Sequence, residues 1–309
     1  MLEPVKFLIL GNGKSAESFA NGFIDGGSVC IGAVSIQTHL LPDNSKGLIS
    51  WANKRAIDYF QIIDANSVEL KTIVEKTRAE LLLVEWPKIL SKETIGIFPR
   101  GAIGTHPSFL PWGRGRHPLH WQIVLGYSEI FLSAFQLTPE VDSGPLLLQS
   151  PIEVDSNETI LTLLEKVNFQ TYKFGVELAN QLLKTGFLEK IPKNTINGTT
   201  WRRRTFEDIE IDCRMSRDSI SRLVRSVCPP FIGAKLLTEF GSLTIERALN
   251  WEFDSWEFHQ IGSIISVNDE SVVLRVDDGL IKLFVYGSMP AGMYDCPFVR
   301  PPSFYRNRK

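Results

Sequence analysis

His106 and Asp142 are the two residues whose types and surroundings are best suited to chemistry. They lie in one stretch, which opens GAIGTHPSFLPWGRGRHPLHW at Gly101 and closes TPEVDSG at Gly144. Both titratable groups stand on glycine- and proline-rich backbone that neither helix nor strand would choose. An imidazole and a carboxylate converging on one carbonyl carbon suit acyl transfer to an amine. An aliphatic ammonium does not attack until it loses a proton, which Asp142, or a histidine it orients, can accept. An imidazole N–H can also stabilise negative charge developing on the carbonyl oxygen. Taken singly, a histidine after a strand or a DSG turn is more often structural. The order and spacing of the whole block make the pair a candidate site.

Those residues need a frame. KFLILG (Lys6 to Gly11), VCIGAVS (Val29 to Ser35), ELLLVEW (Glu80 to Trp86) and GAIGTH (Gly101 to His106) are short apolar runs that read as buried strands. Helical spacing falls between them, at Ser15 to Phe23 and at Ser67 to Ala79. This alternation predicts an α/β domain built on a mostly parallel, Rossmann-like sheet covered on both faces. His106 then ends a strand, where open α/β sheets place ligands. EIFLSAFQL and PLLLQSPIEV read as strands flanking the Asp142 loop. Pro118 opens one helix, and Ser156 is the expected cap of a long second one. The polar stretch KIPKNTINGTT reads as a linker, giving a first domain over 1–190, a linker over 191–200 and a second domain over 201–309. In the second domain a helix opened by Ser216 precedes short strands joined by NDE and DDG turns, a pattern for a small β-barrel.

Composition narrows the function. The 309 residues carry a formal net charge of −2, which gives no global attraction to nucleic acid or an anionic membrane. No apolar run is long enough to span a bilayer, and the expected compartment is the cytoplasm. Cys30, Cys213, Cys228 and Cys296 are scattered without a C-x-x-C pair, so neither a metal site nor a disulfide framework is expected. GNGKSAE, starting at Gly11, is a glycine turn into a helix. It places Lys14 where it could meet a diphosphate, a plain strand-to-helix turn being the alternative. Ser108 could touch substrate or hold its loop, and Arg114 could clamp an anion or be a solvated loop charge.

The block around His106 resembles the signature of the 10-formyltetrahydrofolate-dependent formyltransferases, roughly N-x-H-x-S-L-L-P-x-x-x-G-x-x-P followed by D-[S/T]-G. The C-terminal stretches WRRRTFEDIEID and SISRLVRSVCPPFIGA are similar to the second domain of methionyl-tRNA formyltransferases and of certain amino-sugar formyltransferases. The resemblance implies that the second domain is OB-like. It further implies that His106 and Asp142 are catalytic and that 10-formyltetrahydrofolate is the formyl donor. Trp86, Lys88, Ile89, Leu90 and Val141 are the implied donor-binding residues, and Lys14, Ser108 and Arg114, read above, are the acceptor-side candidates.

One residue departs from the pattern. Gly104 stands where the family has a catalytic asparagine, and loss of one oxyanion donor costs on the order of a hundred- to a thousand-fold in rate. Thr105, His117, a backbone N–H or water are the candidate substitutes. The resulting expectation is transfer of a formyl group to the amine of a nucleotide-linked deoxyamino sugar, of the kind used in surface polysaccharide synthesis. The alternative is a methionyl-tRNA formyltransferase, against which the acidic balance argues. A folate- or sugar-nucleotide-binding protein with weak catalysis is the third reading. The sugar, the nucleotide and the oligomeric state are not legible.

Overall fold

A computed structural model describes residues 2–37, 47–86, 88–192, 197–254 and 256–302. The chain divides into two compact units. The first comprises Met1–Gly115, Glu129–Glu153 and Leu164–Trp201; the second comprises Arg116–Ser128, Val154–Leu163 and Arg202–Lys309. Of the expected linker, residues 193–196 lie outside the described residues.

The first unit is built on strands β1 (Lys6–Gly11), β2 (Val29–Ile36), β3 (Tyr59–Ile62), β4 (Leu81–Glu85), β5 (Ala102–His106), β7 (Glu129–Gln136) and β8 (Leu146–Glu153). They form one sheet in the order β3-β2-β1-β4-β5-β7-β8. The pairs from β3 through β5 are parallel, whereas β5–β7 and β7–β8 are antiparallel. The sheet is therefore mixed, with a mostly parallel centre. Its parallel part reverses direction of winding between β1 and β4, the kind of switch point at which such sheets open a crevice. Edge strand β3 escaped the sequence reading because YFQI is only four residues long and mostly half-exposed.

Strand alternation sends Phe7 and Ile9 to one face of the sheet and Leu8 and Leu10 to the other. The latter join Val34, Leu82, Val84 and residues Leu70, Ile73 and Val74 of helix α3 (Val68–Thr77). Phe7 meets Phe23 of helix α1 (Gly13–Asp25), and Phe19 meets Phe23 edge-on. Helices α2 (Gly47–Lys54) and α4 (Lys92–Gly96) complete the flanks. The long helix α6 (Ile160–Thr185) starts four residues beyond Ser156, the expected cap. Thr159 takes that place, its hydroxyl accepting from the Thr162 N–H at 3.3 Å. Helix α1 packs on α6 backbone to backbone at Gly22 and Gly175. A Cβ on Gly175 would stand 2.7 Å from the Phe19 carbonyl oxygen and 2.9 Å from the Gly22 Cα.

The second unit contains α5 (Pro118–Val124) and α7 (Arg217–Val227), the latter capped as expected by Ser216, whose hydroxyl accepts from the Ser219 N–H. Its sheet is five-stranded and antiparallel: β10 (Ala234–Thr238), β11 (Gly241–Trp251), β12 (Ile264–Val267), β13 (Ser271–Val276) and β14 (Gly279–Val285), in the order β10-β11-β14-β13-β12. Both predicted hairpins are present, β12–β13 and β13–β14. Among the described residues β10 and β12 are edges rather than partners. Ile220, Leu223, Val224 and Val227 of α7 pack in the core of this unit.

The helix contact generates a prediction. Gly175→Ala should force α1 and α6 apart and cost about 1–3 kcal/mol in a urea melt. An unchanged midpoint would refute the close approach.

Candidate active site

Asp142 lies in the turn between β7 and β8 with a left-handed backbone, φ 46°. That conformation is uncommon for a residue with a side chain, and Asp tolerates it better than most. Its Oδ2 accepts the Gly115 N–H at 2.9 Å and stands 3.7 Å from His106 Nδ1. Gly115 belongs to the short strand β6 (Arg114–Gly115), which pairs in parallel with β9 (Thr200–Trp201). It has φ 97°, and a Cβ there would meet the Trp201 carbonyl oxygen at 2.4 Å. Only glycine brings its N–H to Asp142 in this way.

His106 is 7% exposed. Its Nε2 lies 2.9 Å from the Gly113 carbonyl oxygen. A carbonyl only accepts, so Nε2 carries a proton and Nδ1 is the nitrogen turned to the carboxylate. The 3.7 Å gap exceeds a direct hydrogen bond. Catalytic contacts often stand this long before substrate binds and tighten afterwards.

The loop between His106 and Gly113 is pinned from below. Ser133 on β7 donates to the Ser108 carbonyl oxygen at 2.6 Å and accepts from the Leu110 N–H at 3.3 Å. Gln149 on β8 donates to the Leu110 carbonyl oxygen at 2.9 Å. Phe109 packs on Phe131 with ring centroids 4.5 Å apart, and the Gly113 N–H reaches Thr199 Oγ1 at 2.9 Å. Sequence reasoning missed Ser133, Gln149 and Thr199. A serine at a buried position of EIFLSAFQ was the available signal, since a buried hydroxyl needs a partner.

The remaining expected residues are spread more widely. Ser108 is 1% exposed with its Oγ buried and unpartnered, and Arg114 is half-buried with Nε unpartnered. Lys14 is exposed and lines a groove of about 590 Å³ along α1 and α6, whose lining includes none of the other expected site residues. Ile89 and Val141 present apolar surface to solvent, Lys88 is exposed, and Leu90 is buried in the core beneath. Trp86 packs against the same core while its Nε1–H is buried without an acceptor. Pro87, between them, lies outside the described residues. His120, expected to be structural, is buried against Trp121, and burial drives its pKa down to about 4.

Gly104 is packed tightly. A Cβ on it would stand 2.9 Å from Leu137 Cδ1 and 3.2 Å from the Val84 carbonyl oxygen. The Thr105 hydroxyl, one candidate substitute donor, is engaged by Glu85: its Oγ1 lies 2.5 Å from Glu85 Oε1. Ser15 donates to the other oxygen, Oε2, at 2.8 Å. Burial pushes the Glu85 carboxyl from 4.5 up to about 7, and hydrogen bonds from the two hydroxyls and the Thr105 backbone hold it from rising further. The sequence marks Glu85 only as a departure from the family's usual glycine, because its neighbours come from two distant segments, Gly11 and Ser15 from one and Thr105 from the other.

The sequence profile described as formyl transferase matches residues 36–178. The segment contains β5, the pinned loop, His106 and Asp142, and the chain is a formyl-transferring enzyme. It is 28% identical over 251 residues to a methionyl-tRNA formyltransferase of Borrelia duttonii, covering 80% of this chain and 77% of that one. Among solved structures it is similar to WlaRD, a sugar 3N-formyl transferase, with TM-score 0.63 and 14% identity over 93% of this chain and 100% of that one. It is also similar to HypX from Aquifex aeolicus, with TM-score 0.64 and 14% identity over 91% of this chain. The chain spans 45% of HypX. These likenesses establish a shared fold. Among the described residues no helix is long and apolar enough to cross a membrane, and no cluster of metal-ligating side chains occurs.

The raised Glu85 carboxyl predicts a pH dependence of stability. Between about pH 4.5 and 7 the folded state keeps a proton that the unfolded chain has released, so stability falls as pH rises through that window. Glu85→Gln should match the wild type near pH 4.5 and exceed it at pH 8 by on the order of 1–3 kcal/mol. Denaturant melts at both pH values check this, and an equal difference at the two would contradict the buried acid. Gly104→Asn should displace Leu137 and lose about 1–3 kcal/mol, which the same melts measure.

Proposed function

We propose that the enzyme transfers a formyl group from 10-formyltetrahydrofolate to the amine of a nucleotide-linked deoxyamino sugar, with His106 and Asp142 at the reacting centre. The observation that carries this reading is the approach of His106 Nδ1 to Asp142 Oδ2 at the rim of the sheet, on a loop locked by backbone and side-chain hydrogen bonds. The Gly113 carbonyl fixes one face of the imidazole, and Nδ1 is left for chemistry. Protonated, that nitrogen presents an N–H and a positive charge toward the Asp142 side, where charge developing on a formyl oxygen would be met. Asp142 orients the imidazole, as a carboxylate does for histidine in acyl transfer generally.

The chain offers a fit for the donor. Trp86 supplies an orphaned N–H suited to a ring nitrogen or carbonyl, while Ile89 and Val141 supply exposed apolar surface for a flat heterocycle. Lys88 is a cation on the same segment, and Leu90 anchors it from the core. The bound donor would supply an activated formyl carbon. On the acceptor side we assign Lys14, Ser108 and Arg114, of which Ser108 and Arg114 keep buried polar atoms without partners. We read the second unit as OB-like, with 1–190 and 201–309 as the two functional domains.

The likeness to WlaRD over its whole length supports the sugar acceptor. A second reading, methionyl-tRNA as acceptor, is favoured by the Borrelia relatives. The net charge of −2 opposes it, because tRNA binding rests on phosphate neutralisation.

Tetrahydrofolate release measured with dTDP-3-aminofucose and with methionyl-tRNA decides between them. Turnover is expected with the sugar. His106→Ala and Asp142→Asn should each lower kcat/KM by about 10²- to 10⁴-fold while leaving the thermal midpoint near that of the wild type. Near wild-type turnover in both variants would sink the mechanism.

A further inference from the structure

Gly113, Arg114 and Gly115 join the two groups of the reacting centre. The Gly113 carbonyl oxygen lies 2.9 Å from His106 Nε2, and the Gly115 N–H reaches Asp142 Oδ2 at 2.9 Å. How these three residues are seated therefore sets how the imidazole faces the carboxylate. Gly113 and Gly115 stand at φ 72° and 97°. Glycine enters such conformations freely but does not hold itself in them, so the grip must come from outside the tripeptide.

It comes from the end of the stretch that the sequence reads as a linker. The Gly113 N–H donates to Thr199 Oγ1 at 2.9 Å, and the Arg114 N–H donates to the Thr199 carbonyl oxygen at 3.0 Å. The Trp201 indole covers Gly113, where a Cβ would stand 2.7 Å from Cζ3. On the other side of Thr199, a Cβ on Gly198 would stand 1.7 Å from the Pro111 carbonyl oxygen, so backbone lies directly on backbone. Residues 198–201 thus follow the loop from Pro111 to Gly115 in parallel, and the contact continues the β6–β9 pairing.

The peptide unit between Gly113 and Arg114 is the centre of this arrangement. Its carbonyl accepts from His106 while its N–H donates to Thr199. One planar amide thus links the Thr199 carbonyl to the imidazole through two hydrogen bonds in series. Such bonds polarise one another: donation to Thr199 makes the Gly113 oxygen a stronger acceptor for the Nε2 proton. A proton held on Nε2 leaves Nδ1 as the nitrogen turned to Asp142. Thr199 itself is exposed, so the bulk of the fold does not depend on its side chain.

We propose that Thr199 is a positioning residue for formyl transfer, seating the Gly113–Arg114 peptide that fixes the tautomer of His106 and its aim toward Asp142. The role rests on the formyl-transfer reading above. It makes residues 198–201 part of the catalytic apparatus, acting through His106 rather than on the substrate.

The test uses the full-length enzyme with 10-formyltetrahydrofolate and dTDP-3-aminofucose. Thr199→Val keeps the shape and removes the hydroxyl. It should lower kcat about ten- to a hundredfold, the scale of a small misplacement of a catalytic group, and leave both KM values and the thermal midpoint near those of the wild type. Thr199→Ser, which keeps the hydroxyl, should restore most of the rate. Gly198→Ala, which drives the segment off Pro111, should lose kcat as the valine variant does. A second readout needs no turnover. In nitrogen-15 NMR the wild type should show His106 protonated on Nε2, and Thr199→Val should speed exchange of that proton about tenfold by loosening the seat, while Thr199→Ser leaves it slow. Wild-type kcat in Thr199→Val, an equal loss in Thr199→Ser, or an Nε2 proton that the valine leaves unmoved overturns the Thr199 assignment and leaves formyl transfer standing. No tetrahydrofolate release by the wild type, with this acceptor or with methionyl-tRNA, overturns the formyl-transfer reading, and the NMR comparison then decides by itself whether Thr199 seats His106.

Discussion

The hydrogen bond from the Gly115 N–H to Asp142 couples three parts of the first unit that are far apart in sequence. It needs a left-handed glycine, a parallel contact with Trp201, and a turn that holds an aspartate at positive φ. The aspartate's left-handed backbone is the costly member, since glycine takes positive φ freely. Residues in such sparsely populated conformations persist only where surrounding structure over-determines them, and they gather at functional sites. Here the over-determination is visible. Ser133 and Gln149 fix the His106 side of the loop from the sheet, and Thr199 fixes its Gly113 end. The imidazole is thus held by a backbone carbonyl that cannot move without unmaking several other bonds.

That rigidity explains how much of the site could be read from sequence. His106, Asp142 and the turn glycines are local signals, because special backbone needs special residues. The parallel strands β1, β2, β4 and β5 were likewise legible, since buried parallel strands are continuous apolar runs, and α7 carries its apolar positions at helical spacing. The start of α6 was misplaced because Ser156 and Thr159 both have capping side chains. Only the packing of Ile160 and Leu163 decides which of them begins the helix. The partners that support the site were not legible at all. Ser133, Gln149 and Thr199 are ordinary polar residues whose meaning comes from what the fold sets beside them.

Gly104 gains a physical context from its neighbours. In β5 it lies on the same face as His106, and the space beyond its Cα is taken by a Leu137 methyl and the Val84 carbonyl. A side-chain amide there would require Leu137 to withdraw. Glycine and leucine are therefore a matched pair, and placing an amide there means changing both. The polar capacity of this rim lies instead on the opposite face, with Thr105, Ser15 and Glu85.

Two carboxylates thus flank β5 in opposite environments. Asp142 has a backbone N–H donor and an imidazole before it, the surroundings of a group that works as an anion. Glu85 is sunk among the Ser15 and Thr105 hydroxyls, and burial raises its carboxyl to about 7. The pleat of a single strand sets Thr105, which faces Glu85, and His106, which faces Asp142, on opposite sides of the sheet.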